Sequence, residues 1–147
     1  MNIKSRRALL EHIASTYGTG KVCAEIGVLR GAFSKKIIDI LSPSEFWMVD
    51  SWGLHLSTFV DYQSYSQEHW INMMKNVEKK FCSDRFHTLR SLSVEAATHF
   101  PDEYFDFVYI DADHDRLDED LAAWYPKVKV GGVIGGHDYA FTPSKSI

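Results

Sequence analysis

Several features are scarce in this chain, and each scarcity argues against a class of protein. Two cysteines, Cys23 and Cys82, are too few for a disulfide framework or a zinc ribbon. No apolar run approaches the ~18 to 20 residues of a membrane-spanning helix, and none follows the basic start as a secretory signal would require. With 16 basic and 20 acidic residues, the net charge of −4 argues against a surface for nucleic acid or anionic lipid. We therefore expect a cytoplasmic protein that binds neither nucleic acid nor membrane.

What is present is the composition of an ordinary globular domain. The 147 residues are 45% hydrophobic and 24% charged, which suits one domain with a real core. Apolar residues recur with helical and strand spacing in turn, which predicts an α/β protein with a parallel sheet and helices on both faces. The expected helices cover residues 5–17, 32–41, 62–81, 93–99 and from 115 or 118 to 125, and Ser93 is the expected N-cap of the fourth. The expected strands cover 22–26, 46–49, 85–89, 104–110 and 132–136.

Acidic and imidazole side chains follow two of these apolar strands. Asp111, Asp113 and His114 come after the fourth strand, and His137 and Asp138 come after the fifth. In open α/β sheets, ligands bind outside the carboxyl ends of the strands. Neighbouring strands that both carry such residues predict a site able to hold a metal ion, a general base, or both.

A glycine turn follows the first strand. The segment A-E-I-G-V-L-R-G-A-F-S places Gly27 and Gly31 between a strand and a helix, where the backbone can approach a ligand closely. The G-x-x-x-G spacing is a poor match to a dinucleotide-binding fingerprint, and a simple tight turn remains an alternative. Asp50 ends the second strand, a little over 20 residues on, where a carboxylate can bind ribose hydroxyls; a turn or cap role is the alternative.

Five motifs in order carry a resemblance to a known family. They are E-I-G-V-L-R-G, V-D at 49–50, S-L-S at 91–93, F-D-F-V-Y-I-D-A-D-H, and V-K-V-G-G-V-I-G-G-H-D-Y. Over roughly residues 22–139 the chain resembles class I S-adenosylmethionine-dependent methyltransferases, of the small-molecule O-methyltransferase-like branch and the methyltransferase domain family 24 type. The resemblance implies a Rossmann-like doubly wound sheet with strand order 3-2-1-4-5. It also implies methyl transfer to a small-molecule acceptor, at a hydroxyl oxygen.

The resemblance also implies a set of residues around the cofactor, S-adenosylmethionine. Glutamate and glycines of the turn would lie against its methionine part, the acid of the second strand would hold the ribose, the S-L-S segment would border the adenine, and the acid after the fourth strand would lie near the sulfonium. The implied cofactor-binding residues are Glu25, Gly27, Gly31, Asp50, Ser91, Leu92, Ser93 and Asp111.

In the metal-dependent members of the branch, the same strand ends hold a divalent cation. The corresponding residues here are Asp111, His137 and Asp138, and their chemistry suits Mg²⁺ or Mn²⁺. A hydrogen-bonded His137–Asp138 pair without metal is the alternative. A lysine of that branch is replaced by His114, so the general base is left open among His114, His137 and Asp113. The implied catalytic residues are Asp111, His114 and His137.

The chain departs from the family at its end. The family's sheet has seven strands, and its last two form a hairpin that residues 1–147 are expected to lack. We expect a naturally short form, a piece of a longer protein, or a homo-oligomer in which a second copy covers the fifth strand. A cofactor-binding or assembly module without turnover is therefore the alternative function. The glycine spacing argues against a third reading, a nicotinamide-dependent dehydrogenase.

The aromatic segment from Trp52 to Tyr65 follows the ribose acid. It contains Trp52, His55, Phe59, Tyr62 and Tyr65. We treat it as a hypothetical lid over the substrate, with an ordinary anchored loop as the alternative.

Overall fold

The structure, a computed structural model, describes residues 5–54, 65–111, 117–136 and 139–141. Helices and strands alternate along the described chain, as the sequence predicts. The helices are α1 (Arg6–Tyr17), α2 (Ala32–Leu41), α3 (Gln67–Lys80), α4 (Ser93–Ala97) and α5 (Leu117–Trp124), with a 3₁₀ turn at Tyr125–Lys127. The strands are β1 (Val22–Ile26), β2 (Glu45–Asp50), β3 (Phe86–Arg90), β4 (Phe105–Ile110), β5 (Val128–Gly136) and β6 (Tyr139–Phe141).

The strands form one sheet in the order β3-β2-β1-β4-β5-β6. The first five are parallel, so the predicted Rossmann-like order 3-2-1-4-5 is confirmed. Ile26 at the end of β1 is level with Val49 of β2 and Ile110 of β4. The residues that follow these three strands therefore meet at the same edge of the sheet.

Two differences from the predicted elements concern the last part of the sheet. β5 begins at Val128 rather than Gly132, since the strand continues through Gly131, which has a φ of +81°. β6 was not predicted. It is antiparallel to β5 and pairs Tyr139 with Gly136, so it covers the end of β5 that the sequence analysis left as an open edge.

Each face of the sheet carries its own apolar cluster. Alternate residues of β1 point to opposite faces, so Cys23 joins the cluster under α1, α2 and α3, whereas Ala24 joins the cluster under α4 and α5. Cys23 is fully buried, as expected for a small apolar residue. Glu25 follows in the same alternation, which turns its side chain toward α2.

The N-terminus of α1 is fixed at Ser5. The Ser5 hydroxyl accepts a hydrogen bond from the N–H of Ala8 at 3.0 Å, an N-cap that starts the helix at Arg6. None of the described helices is both long enough and apolar enough to span a bilayer.

Candidate functional site

Three acidic residues meet at the carboxyl edge of the sheet. Glu25 lies in β1, Asp50 ends β2, and Asp111 directly follows β4, with β1 between the other two strands. The N–H of Asp111 donates to the carbonyl of Ile26 at 2.7 Å, which anchors this residue to the end of β1. The structure thus brings together three of the acids that the resemblance assigned to the cofactor.

Glu25 is a buried acid with an altered protonation equilibrium. Its side chain is 1% exposed and accepts a hydrogen bond from the hydroxyl of Ser34 in α2. Burial raises the pKa of Glu25 to about 8, and the neighbouring charges of Asp50 and Asp111 act in the same direction. The Ser34 hydrogen bond and the charge of Arg6 oppose this shift. Near neutral pH the Glu25 carboxyl therefore holds its proton until a positive charge arrives.

Asp50 organises the glycine turn. One of its carboxylate oxygens accepts the N–H groups of Val28 and Leu29, each at 2.8 Å, and the other accepts the N–H of Trp52 at 2.9 Å. A carboxylate offers about four lone-pair positions, so about one remains for a ligand hydroxyl. Asp50 is therefore both a turn residue and a candidate ribose ligand, which combines the two alternatives of the sequence analysis.

Both glycines of the turn have a positive φ, and at Gly31 a side chain would also collide with a neighbour. Gly27 has a φ of +96° where the chain leaves β1. Gly31 has a φ of +84° as the N-cap of α2, and a Cβ there would lie 2.7 Å from the ring of Phe81. Leu29 between them also has a positive φ, of 56°. The turn is thus held in a demanding conformation by its neighbours.

The loop after β2 is locked to the glycine turn. Trp52 is fully buried, and its indole N–H donates to the carbonyl of Leu29 at 3.0 Å. Arg90 donates to the carbonyl of Trp52 at 3.1 Å and to Gln67 at 2.8 Å, and Gln67 donates to the carbonyl of Gly53. Trp52 therefore anchors the loop after β2 to the glycine turn. Its inclusion in the hypothetical lid was wrong, because its side chain is fully buried. Residues 55–64 of that segment lie outside the described chain, so the rest of the lid stays a hypothesis.

Asp111 lies beside a cation that the sequence analysis did not single out. The Arg6 guanidinium at the start of α1 is 3.4 Å from the Asp111 carboxylate and sits 4.9 Å from the centre of the Phe33 ring. The ring of Tyr109 packs against Phe33 at 4.4 Å. No helical or strand pattern could have found Arg6, because its partner is 105 residues away in the chain. Tyr109 could have been singled out from the sequence, because it carries the one hydroxyl in the otherwise apolar second half of β4.

The S-L-S segment joins β3 to α4. The N–H of Ser91 donates to the carbonyl of Asp50 at 2.9 Å, which brings the segment next to the candidate ribose acid. Ser93 was expected to cap α4, but Leu92 occupies the N-cap and the Ser93 hydroxyl accepts the indole N–H of Trp124 at 3.0 Å. The Ser93 hydroxyl therefore makes a tertiary contact with α5 instead of capping its own helix.

Asp113, His114, His137 and Asp138 lie outside the described residues. Over residues 5–54, 65–111 and 117–136, no group of three or more histidine, cysteine and acidic side chains could hold a metal ion. The predicted metal site and general base therefore stay predictions.

The electrostatic balance of the described site favours a positively charged ligand. Three carboxyl groups share this edge with the guanidinium of Arg6, and the charges of Asp50 and Asp111 add to burial in raising the pKa of Glu25. A cation bound among them would relieve that repulsion. The glycine turn supplies the close backbone approach that such a ligand needs.

A comparison with known proteins gives a match to a family model over most of the chain. The family model described as a methyltransferase domain matches residues 24–139, from β1 to the start of β6. None of the curated proteins searched gives a significant match.

Solved structures that match this fold include proteins described as methyltransferases. A candidate caffeoyl-CoA O-methyltransferase from Staphylococcus aureus matches with a TM-score of 0.62 and 14% identity, over 87% of this chain and 54% of its own. A candidate S-adenosylmethionine-dependent methyltransferase from Methanococcus maripaludis matches with a TM-score of 0.60 and 20% identity, over 87% and 53%. A precorrin 8w decarboxylase from Methanobacterium thermoautotrophicum matches with a TM-score of 0.60 and 19% identity, over 87% and 59%. At these identities the likeness shows the fold, and the chain spans somewhat more than half the length of these proteins.

Proposed function

Because this chain belongs to the methyltransferase domain family, we propose that it binds S-adenosylmethionine at the carboxyl edge of its sheet and transfers the methyl group to a hydroxyl oxygen of a small molecule. The observation that carries the proposal is the meeting of Glu25, Asp50 and Asp111 beside the glycine turn. When bound, the cofactor supplies a methyl group on a positively charged sulfur, which needs little further activation.

The charges of the site support a cofactor of this kind. S-adenosylmethionine carries a sulfonium and an ammonium group, and both would be attracted by an edge with three carboxyl groups. The buried Glu25 carboxyl, held by Ser34, can ionise as positive charge approaches, so the site adapts its own charge to the ligand. Because the sulfonium is already reactive, positioning and exclusion of water are the main contributions of the protein.

The ribose role of Asp50 is supported by its neighbours as well as by its own geometry. Its carboxylate is fixed by three N–H donors and keeps about one acceptor position. The hydrogen bond from the Ser91 N–H to the Asp50 carbonyl brings the S-L-S segment, the proposed adenine border, directly beside Asp50. Ribose and adenine would thus be recognised by adjacent parts of one rigid edge.

Binding is tested by calorimetry with S-adenosylhomocysteine. We expect saturable binding to the wild-type protein and, for Asp50→Asn, a loss of about 10-fold or more, because a charged hydrogen bond is replaced by a neutral one. Asp39→Asn is the matched control, since Asp39 is an exposed partner of Lys35 on the far side of α2 and should not affect binding. Wild-type protein that shows no heat of binding at millimolar ligand would remove the proposal.

Turnover is tested separately from binding. Methyl groups labelled in the cofactor should appear on a hydroxylated small molecule, with His114→Ala or His137→Ala reducing the rate if either imidazole accepts the proton. Both residues lie outside the described chain, and their assignment depends on the resemblance alone. Binding without any transfer across a panel of acceptors would favour the alternative of a cofactor-binding module.

The metal-assisted form of the proposal places Mg²⁺ or Mn²⁺ at Asp111, His137 and Asp138. Asp111 already has Arg6 at 3.4 Å from one of its carboxylate oxygens, so a divalent cation would share this carboxylate with the guanidinium. If metal assists, Mn²⁺ should raise the transfer rate, and His137→Ala or Asp138→Asn should abolish that increase. A rate that is the same with Mn²⁺ and with a chelator would contradict metal assistance and leave methyl transfer itself standing.

A further inference from the structure

A cavity lies at the edge of the sheet where the strands begin, opposite the proposed cofactor edge. Its volume is about 150 Å³, and it is bounded by α1, the end of α2, the starts of β1 and β4 and the first half of β5. Along β4, Phe107 at the cavity and Asp111 at the cofactor edge are four residues apart, or roughly 13 Å. This amino-edge cavity is therefore separate from the site of the proposed function.

The buried part of the cavity lining is apolar. Four buried side chains form most of it, those of Ile13, Leu41, Phe107 and Val133. Cys23 also lines the cavity, and burial raises the pKa of its thiol to about 12, with the charge of Asp106 acting in the same direction. The thiol is therefore uncharged near neutral pH. An apolar cavity of this volume is large enough for a benzene ring.

One wall of the amino-edge cavity is a bulge in β5. Between Phe105 and Phe107 of β4 the register shifts, so that residues 129–132 of β5 lie opposite a single residue of β4. The bulge requires glycine at Gly132, because a Cβ there would lie 2.8 Å from the carbonyl oxygen of Asp106. It takes the start of β5 out of regular pairing and brings residues 129–132 to the cavity.

The charged residues of the lining carry a net positive charge. They are Lys21, Asp106 and Lys129. The Lys129 ammonium lies 3.4 Å from both carboxylate oxygens of Asp106, so these two charges largely offset each other. Lys21 is half-buried and makes no ion pair within the described part of the chain. An ammonium group beside an apolar cavity is a fitting partner for a ligand with one negative charge.

We propose that the amino-edge cavity binds a small carboxylic acid whose apolar body is about the size of a phenyl ring, with its carboxylate at Lys21. The ring would fill the space between Ile13 and Val133. The ion pair of Asp106 with Lys129 would limit the repulsion of the incoming carboxylate. This inference does not depend on the proposed function, because the two sites lie at opposite edges of the sheet.

The test compares benzoate with benzyl alcohol, which has the same ring but no charge. By calorimetry, benzoate should bind at one site with a dissociation constant of about 1 mM or lower, and benzyl alcohol should bind more weakly. Lys21→Met keeps most of the stem but removes the charge, so it should weaken benzoate about 3- to 10-fold and leave benzyl alcohol unchanged. Lys21→Arg should restore most of the loss. Asp106→Asn should instead strengthen benzoate severalfold, because it removes a negative charge beside the carboxylate.

Lys36→Met is the matched control. Lys36 is an exposed residue of α2 outside the cavity, so its replacement should leave both ligands unaffected. Unchanged binding of benzoate by Lys21→Met would overturn the inference, and so would equal weakening of the two ligands. Wild-type protein that does not bind benzoate saturably would overturn it as well.

The position of the ligand is checked by NMR. Benzoate should shift the methyl signals of Ile13 and Val133 and leave those of Ile110, at the cofactor edge, in place. Saturating S-adenosylhomocysteine should not displace benzoate. Displacement, or shifts at Ile110 instead of Ile13, would place benzoate at the cofactor edge and overturn the inference. None of these outcomes decides the proposed function, which is tested by the binding of S-adenosylhomocysteine itself.

Discussion

At the scale of single residues, Glu25 joins folding to the charge of the site. A carboxyl group this deeply buried is stable only when protonated, paired or hydrogen-bonded, and Glu25 combines a raised pKa with the hydrogen bond from Ser34. The same residue that faces the proposed cofactor therefore lowers the stability of the empty protein as the pH rises. The protonated form of Glu25 favours the folded empty protein, whereas the ionised form favours binding of a positively charged ligand.

Glu25→Gln should remove this dependence on pH. In the wild type the folded state keeps the Glu25 proton up to about pH 8, whereas the unfolded state releases it near the ordinary value of 4.5. The free energy of unfolding should therefore fall between these two values as the pH rises, by up to about 1.4 kcal/mol per pH unit. Glutamine keeps an acceptor for Ser34 but does not titrate. Urea unfolding at pH 5.5, 6.5 and 7.5 should show the variant gaining on the wild type; parallel profiles would contradict the buried, protonated Glu25.

Gly31→Ala should be strongly destabilising for two separable reasons. A φ of +84° costs alanine about 1–2 kcal/mol, and the added Cβ would lie 2.7 Å from the Phe81 ring, which adds an overpacking cost of about 1–3 kcal/mol. Gly20→Ala is the control, because Gly20 has a φ of +73° but nothing within 4 Å of a Cβ. Chemical denaturation should show the larger loss for Gly31→Ala, and Phe81→Leu should restore part of it. Equal losses at the two glycines would mean that Phe81 plays no part.

At the scale of elements, a part-buried hydrogen bond joins α4 and α5. The Trp124 indole N–H at the end of α5 donates to Ser93 in the first turn of α4 at 3.0 Å, and Trp124 is fully buried. α4 is only five residues long, and Leu92 gives it no side-chain cap. The contact with α5 therefore helps to hold the segment that we assign to the adenine.

Ser93→Ala should destabilise the protein by about 1–3 kcal/mol, since the buried indole N–H loses its acceptor. Trp124→Phe alone should also destabilise, through lost packing. If the hydrogen bond is what matters at Ser93, adding Ser93→Ala to Trp124→Phe should cost much less than it does in the wild type. Additive losses in a double-mutant cycle of urea unfolding would indicate that Ser93 acts within α4 alone.

At the scale of the whole molecule, ligand binding should stabilise the described sheet as one unit. The proposed cofactor would contact β1, β2, β4 and α2 together, and these elements carry parts of both apolar clusters. S-adenosylhomocysteine at about 100 times its dissociation constant should add about 2.7 kcal/mol, which corresponds to a melting temperature higher by roughly 5–10 °C for a chain of this size. Differential scanning calorimetry measures the shift. A single unshifted transition in the presence of bound ligand would contradict coupling of the site to the fold.

The sequence predicted most of this molecule because most of it obeys local rules. Apolar spacing and terminal residues set the bounds of β1 and α2 correctly, and the alternation of elements led to the right sheet order. Ser93 was misassigned because a residue 31 positions away uses its hydroxyl. β6 was missed because three residues leave no periodic pattern. Arg6 and the buried Tyr109 hydroxyl were missed because only tertiary structure brings them to the site.

The hydrogen bonds between the two loops beside Asp50 have a practical consequence for protein engineering. Asp50 accepts from Leu29 and Trp52, and the Trp52 indole returns a bond to Leu29, so the loops after β1 and β2 close a ring of contacts. The conformation of each loop therefore depends on hydrogen bonds to the other. A graft that moves the glycine turn into another scaffold must carry the tryptophan loop with it, and a change in the length of one loop calls for a matching change in the other.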